Sequence, residues 1–92
     1  MKFRRPLDSV LQTEVDSGLA LLDPNTNTYF LLNKTGAVVW AKLEETVSLE
    51  EICAEVARRF NVTEERCKGD IIALLGTMTQ KGFVVSVDEG SA

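Results

Sequence analysis

Histidine is absent from all 92 residues. Imidazole is the commonest general base near neutral pH and the commonest metal ligand, so its absence removes Ser/His/Asp and Cys/His nucleophile arrangements. Two cysteines remain, Cys53 and Cys67, and two isolated thiolates without histidine make a poor zinc site. Both fall in segments of helical pattern, where packed thiols are the plain reading and a disulfide is disfavoured in a reducing compartment. The six glycines are scattered and build no loop that could cradle phosphates. Carboxylate or lysine chemistry is all that is left, and no spacing of Asp, Glu or Lys singles out a pair for it. The side chains therefore point to a non-enzymatic binding protein, with no cofactor and no metal.

The elements that would hold a binding surface have to fit into a short chain. Residues 1–92 suffice for one domain, with a core expected over about residues 8–87 and flexible termini, the segment Asp88 to Ala92 reading as a frayed tail. Apolar residues are 45% and charged residues 26%, a globular balance rather than a disordered one. Ten Lys and Arg stand against fourteen Asp and Glu, for a net charge of −4; this argues against nucleic acid, whose affinity rests on basic side chains that displace counterions. No apolar run approaches the ~20 residues of a membrane span. The start, Met1 to Pro6, is basic but has no apolar stretch behind it, so it is no secretory signal. A cytoplasmic protein that does not bind membranes is expected.

Along the chain, Val10, Leu11 and Val15 mark a short strand, and Asp16-Ser17-Gly18 has turn chemistry. Gly18 to Asp23 reads as a second strand. Asp23-Pro24-Asn25-Thr26-Asn27 is the strongest turn signal, and Thr28 to Leu32 follows it as a third strand, antiparallel to the second. Asn33 suits a helix cap. Gly36, Val39, Trp40, Leu43 and Val47 recur near helical spacing. Ser48 and Glu51 form a capping box, and behind it Leu49, Ile52, Cys53, Val56, Ala57 and Phe60 make an apolar helical stripe. Thr63 caps a third helix with Cys67, Ile71, Leu74, Leu75 and Met78 on one face, and Gly82 suits its end. Phe83 to Val87 has strand composition and is a candidate closing strand that returns to the sheet. This is an α+β order, a three-stranded antiparallel sheet followed by three helices, of winged helix-turn-helix type.

The stretch from Leu22-Asp23-Pro24 through Tyr29-Phe30-Leu31-Leu32-Asn33 to Thr35-Gly36-Ala37 and Trp40 resembles a signature of the PqqD-like family. Asp70-Ile71-Ile72, Leu74-Leu75 and Lys81-Gly82-Phe83-Val84 fit the same family's third helix and exit. The resemblance spans roughly residues 10 to 87 and implies a precursor-peptide recognition element of ribosomally made, modified peptides. It implies that the leader segment of a precursor adds as a strand against the third strand, beside the third helix. It further implies delivery to a processing enzyme: a leader peptidase in a lasso-peptide pathway, the preferred reading, or a radical enzyme in synthesis of pyrroloquinoline quinone.

Elementary physics is compatible with that use. An open sheet edge offers unpaired N–H and C=O groups to an incoming peptide. On the third strand Thr28, Phe30 and Leu32 face one way and Tyr29 and Leu31 the other; the sequence leaves open which set enters the core. The third helix is apolar over a wide arc that includes Ile72 and Ala73, so part of it is expected to serve a partner. Cys67, Ile71 and Leu74 are expected to border the groove, with Arg66 and Asp70 as polar contacts on its rim.

Two rivals accompany this reading. A winged helix also binds DNA, but its recognition helix would open here with Glu64 and Glu65, which repel phosphate; Lys2, Arg4 and Arg5 could touch a polyanion only as a flexible arm. A structural subunit of a larger enzyme is the other, favoured if Trp40 were exposed rather than core. Neither the precursor nor the choice between monomer and dimer is set by the sequence.

Overall fold

A computed structural model describes residues 2–6 and 10–87; the expected tail, residues 88–92, lies outside the described residues. The strands are β1 (Lys2–Arg4), β2 (Leu11–Val15), β3 (Gly18–Asp23), β4 (Thr28–Asn33), β5 (Val47–Ser48) and β6 (Val85–Val87). The helices are α1 (Lys34–Lys42), α2 (Leu49–Phe60) and α3 (Glu64–Gln80). The three expected strands are β2, β3 and β4, which form an antiparallel meander in that order. At the β3–β4 turn the Asp23 carboxylate accepts from the Asn25 N–H at 3.0 Å, and Asn27 takes a left-handed φ of 56°; a short polar side chain tolerates this conformation.

A second small sheet was not expected. Lys2–Arg4 is no flexible arm: β1 lies between β5 and β6, antiparallel to both. Phe3 is buried there, opposite Val47 and Ser86. Val47, expected on the first helix, lies beyond it in β5, because α1 stops at Lys42 with Leu43 as its cap. The closing strand exists, but it pairs with β1 and does not join the β2–β3–β4 sheet.

Capping fixes where the helices begin and end. The Asn33 side chain accepts from the Gly36 N–H at 2.9 Å, and the Thr63 hydroxyl accepts from the Arg66 N–H at 3.1 Å. At α2 the Ser48 hydroxyl accepts from the Glu51 N–H at 3.1 Å while the Glu51 carboxylate reaches back to the Ser48 N–H. Each cap satisfies backbone groups that the helix itself leaves unpaired. Helix α3 ends in a Schellman arrangement: Phe83 N–H donates to Met78 O and Gly82 N–H to Thr79 O, with Gly82 at φ 87°, a backbone region that favours glycine.

The reversal turns the chain so that Phe83 is fully buried. It joins Leu21, Trp40, Leu43, Ile52, Ile71 and Met78 in a core between the meander and the three helices. Trp40 is 1% exposed, and its ring N–H donates to Gln12 Oε1 at 2.7 Å. A buried indole with its one donor satisfied is a packing residue.

Candidate functional site

Strand β4 is the last strand of the meander, hydrogen-bonded to β3 on one side. Among the described residues no strand pairs with its other side. That edge presents the donors and acceptors of an unfinished ladder. The register also answers which side chains enter the core. Leu32 is buried, Thr28 and Phe30 are half-buried, and Tyr29 and Leu31 are exposed. Phe30 meets Phe83 edge-on at a centroid distance of 5.8 Å, so the inward set anchors the strand while its edge stays open.

At its far end β4 runs into α1, and there a cleft of about 430 Å³ opens. One wall is Asn33, Thr35 and Gly36; the other is Arg66, Cys67, Asp70, Ile71 and Leu74 of α3; Val56, Phe60 and Val62 close the end. Gly36 sits tightly on β4, since a Cβ there would lie 2.9 Å from Leu32 Cδ2. Cys67 and Ile71 are buried and form the floor, Leu74 is half-buried, and Arg66 and Asp70 are exposed on the rim. The floor is therefore apolar and the rim carries one charge of each sign.

The thiols belong to this packing. Cys67 donates weakly to Glu64 O at 3.5 Å and lies 3.9 Å from Cys53 O. Burial, with Cys67 and Glu64 nearby, pushes the Cys53 thiol above its ordinary range. Both are free thiols. Among the described residues no group of three or more Cys, Asp or Glu stands together that could hold a metal.

The ten residues singled out from the sequence thus fall into two adjoining groups. Arg66, Cys67, Asp70, Ile71 and Leu74 come together in the cleft; Thr28, Tyr29, Phe30, Leu31 and Leu32 lie along the strand that leads to it and do not line it. Ile72 and Ala73, which widen the apolar arc of α3, face a separate open hollow with Phe3, Leu49 and Ser86. Sequence reasoning missed Asn33, Thr35, Gly36, Val56, Phe60 and Val62 as cleft residues. Phe60 carried a signal: it ends the apolar stripe of α2, just before Asn61 turns left-handed at φ 54°, and such an end leaves a large side chain half in water.

The family model described as coenzyme PQQ synthesis protein D (PqqD) matches residues 18–84. No curated protein sequence matches. Among solved structures, TbiB1 in complex with the TbiA(β) leader peptide is similar over 97% of this chain and 98% of its own, at 28% identity and a TM-score of 0.75. A lasso peptide synthetase B1 complexed with the leader peptide shares the fold at 24% identity and a TM-score of 0.75, over 91% of this chain and 98% of that one.

Proposed function

Because the chain belongs to the PqqD family, we propose that it captures the leader segment of a ribosomally made precursor peptide and delivers it to a processing enzyme. The observation that carries this reading is the open edge of β4 leading directly into an apolar cleft against α3. The leader adds as a strand along Thr28–Leu32, where backbone pairing supplies affinity. An apolar leader side chain then enters the cleft over Cys67 and Ile71, against Leu74, and Arg66 and Asp70 select polar neighbours at the rim. The similarity to TbiB1, whose structure holds a leader peptide, supports this; a lasso-type pathway stays the preferred reading over quinone synthesis.

The module changes no covalent bond. It raises the local concentration of precursor at the enzyme, and such tethering raises effective affinity by ~10²-fold or more. The DNA-binding alternative finds no support at α3, whose first turn carries Glu64 and Glu65.

Titration with fluorescent leader peptides encoded near the gene, with duplex DNA as control, tests the proposal. Saturable binding to one leader, at about micromolar Kd and largely insensitive to salt, is expected. Salt-sensitive binding to DNA with no leader binding would overturn it.

A further inference from the structure

Strand β2 buries none of its own residues: all five are exposed, Leu11 at 54% and Val15 at 44%. It pairs with β3 on one side, and among the described residues no strand pairs with the other. Its edge is therefore open, at the opposite end of the sheet from β4. Val15 pairs with Gly18 across a turn of only Asp16 and Ser17, and at that separation the two residues must exchange both ladder bonds. Ladder bonding alternates along an antiparallel strand, so Leu11, Thr13 and Val15 bond to β3. Gln12 and Glu14 then aim their N–H and C=O groups at the open side.

One register suits a second copy at this edge. With a two-fold axis at Thr13, Gln12 of each strand faces Glu14 of the other, so the residues aimed at the open side exchange backbone bonds. Thr13 meets Thr13, and Leu11 meets Val15 on both sides of the axis. These are the close, non-hydrogen-bonded pairs of a ladder, in which side chains pack against each other. The exposed apolar residues of β2 thus cover one another. Chemistry on the other face agrees. The Trp40 ring N–H donates to Gln12 Oε1 at 2.7 Å, which fixes the orientation of the amide and leaves its NH2 group to donate. Its new neighbour is the Glu14 carboxylate, an acceptor. A charge on an edge strand ordinarily blunts that edge. Moving the axis to Glu14 would have this effect, because carboxylate would meet carboxylate. Moving it to Gln12 would set Glu14 against the apolar Val10.

We propose that two copies of the chain pair through β2, antiparallel and centred on Thr13, into one continuous six-stranded sheet. Strand β4 lies at each end of it, so both edges assigned above to peptide capture stay open. Peptides added at the two ends would lie about 34 Å apart, at ~4.8 Å per strand. The pairing itself does not depend on peptide capture. A strand of five residues is about 17 Å long, and a contact of that length falls short of the ~1,200 Å² that stable interfaces bury. The dimer is therefore a weak one, with a Kd of about 10–100 µM.

Sedimentation of the full chain from about 5 to 500 µM measures the equilibrium. Two kinds of variant locate the contact. Glu14→Pro removes an N–H that the single chain leaves in water, a position where an edge strand tolerates proline. It is expected to weaken the dimer at least about tenfold, with the far-UV spectrum unchanged. Thr13→Cys sets two thiols opposite each other across the axis and is expected to cross-link under oxidised glutathione, whereas Val15→Cys, opposite Leu11, is not. Cys53 and Cys67 are buried and present in both, so a difference belongs to the new thiol. If Glu14→Pro does not fold, the cross-linking pair decides alone. A chain that stays monomeric over the whole range overturns the proposal. So does a dimer that a folded Glu14→Pro protein retains at full strength, or one in which Val15→Cys links as fast as Thr13→Cys. Dissociation of the dimer by leader peptide also overturns it, since the contact would then lie at β4. A dimer of the expected kind that binds no leader defeats peptide capture alone.

Discussion

Leu74 stands half-buried on the α3 wall of the cleft, one turn from the buried Ile71. A lysine in its place would set an ammonium against an apolar floor that offers it no partner. Leu74→Lys is expected to weaken leader binding at least about tenfold, about 1.4 kcal/mol, with the far-UV spectrum unchanged. A folded variant with wild-type affinity would remove α3 from the site. Cys53 makes a different prediction, because its thiol ionises less readily in the folded chain than in the unfolded one. A raised folded pKa leaves its stability contribution complete below the ordinary thiol value of 9.0 and erodes it as pH rises towards the folded value. Urea midpoints are therefore expected to hold near pH 7–8 and to fall at higher pH. Cys53→Ala should show a shallower alkaline fall; equal slopes in the two proteins would refute the assignment. Residue-level reading of the sequence reached both thiols, because their helical spacing alone implies burial. It missed Val62 and Thr35, whose place in the cleft comes from the meeting of a turn with another helix and has no periodic signature.

Strand β4 gives one face to the core and its capping Asn33 to α1, and its edge is the proposed site of peptide capture. The third of these predicts a local change: amides of residues 28–33 facing the free edge should exchange more slowly when leader is bound, while those already paired to β3 change little. Uniform protection across all helices instead would indicate general stabilisation without strand addition. The meander was legible because turn chemistry separates its strands and β4 is rich in aromatic and branched residues. The helices were legible because Asn33, Ser48 and Thr63 cap them. β1 and β5 were not legible, since three and two residues are too few to show a period. Val47 extended the helical spacing of α1 by coincidence, and only its pairing with Phe3 reveals the end of that helix. The partner of β6 was equally hidden, because a strand's composition does not name its neighbour.

The two small sheets and three helices among the described residues must act as one body if a peptide held at β4 is to be presented in a fixed orientation. Trp40 ties them together. Its carbonyl accepts from Arg5 Nε at 3.1 Å and from a terminal guanidinium nitrogen at 2.8 Å, and the Arg5 guanidinium lies 4.2 Å from its ring centroid. Its ring N–H reaches Gln12 on β2, so one side chain links the exit of β1, helix α1 and the meander. Burial draws the Arg5 pKa down, with Glu44 opposing, yet a guanidinium stays charged in any protein and keeps its donors. Hydrogen bonds from a charged donor contribute about 1.5–3 kcal/mol and a partly exposed cation–π contact about 0.5–1 kcal/mol. Because both bonds share one acceptor and the backbone bond from Arg5 N–H to Leu43 O at 3.0 Å survives truncation, the lower end applies. Arg5→Ala is expected to cost about 2 kcal/mol, a fall in Tm of roughly 8–16 °C for a domain of this size. Arg5→Lys should fall between the two, since it keeps the charge and loses the planar fork. Leader affinity at 25 °C should stay within about twofold of wild type, because Arg5 lies away from the β4 edge. A wild-type Tm for Arg5→Ala would mean that the core alone joins the two sheets. A loss of leader binding in a folded Arg5→Ala protein would mean that the clasp also sets the shape of the cleft.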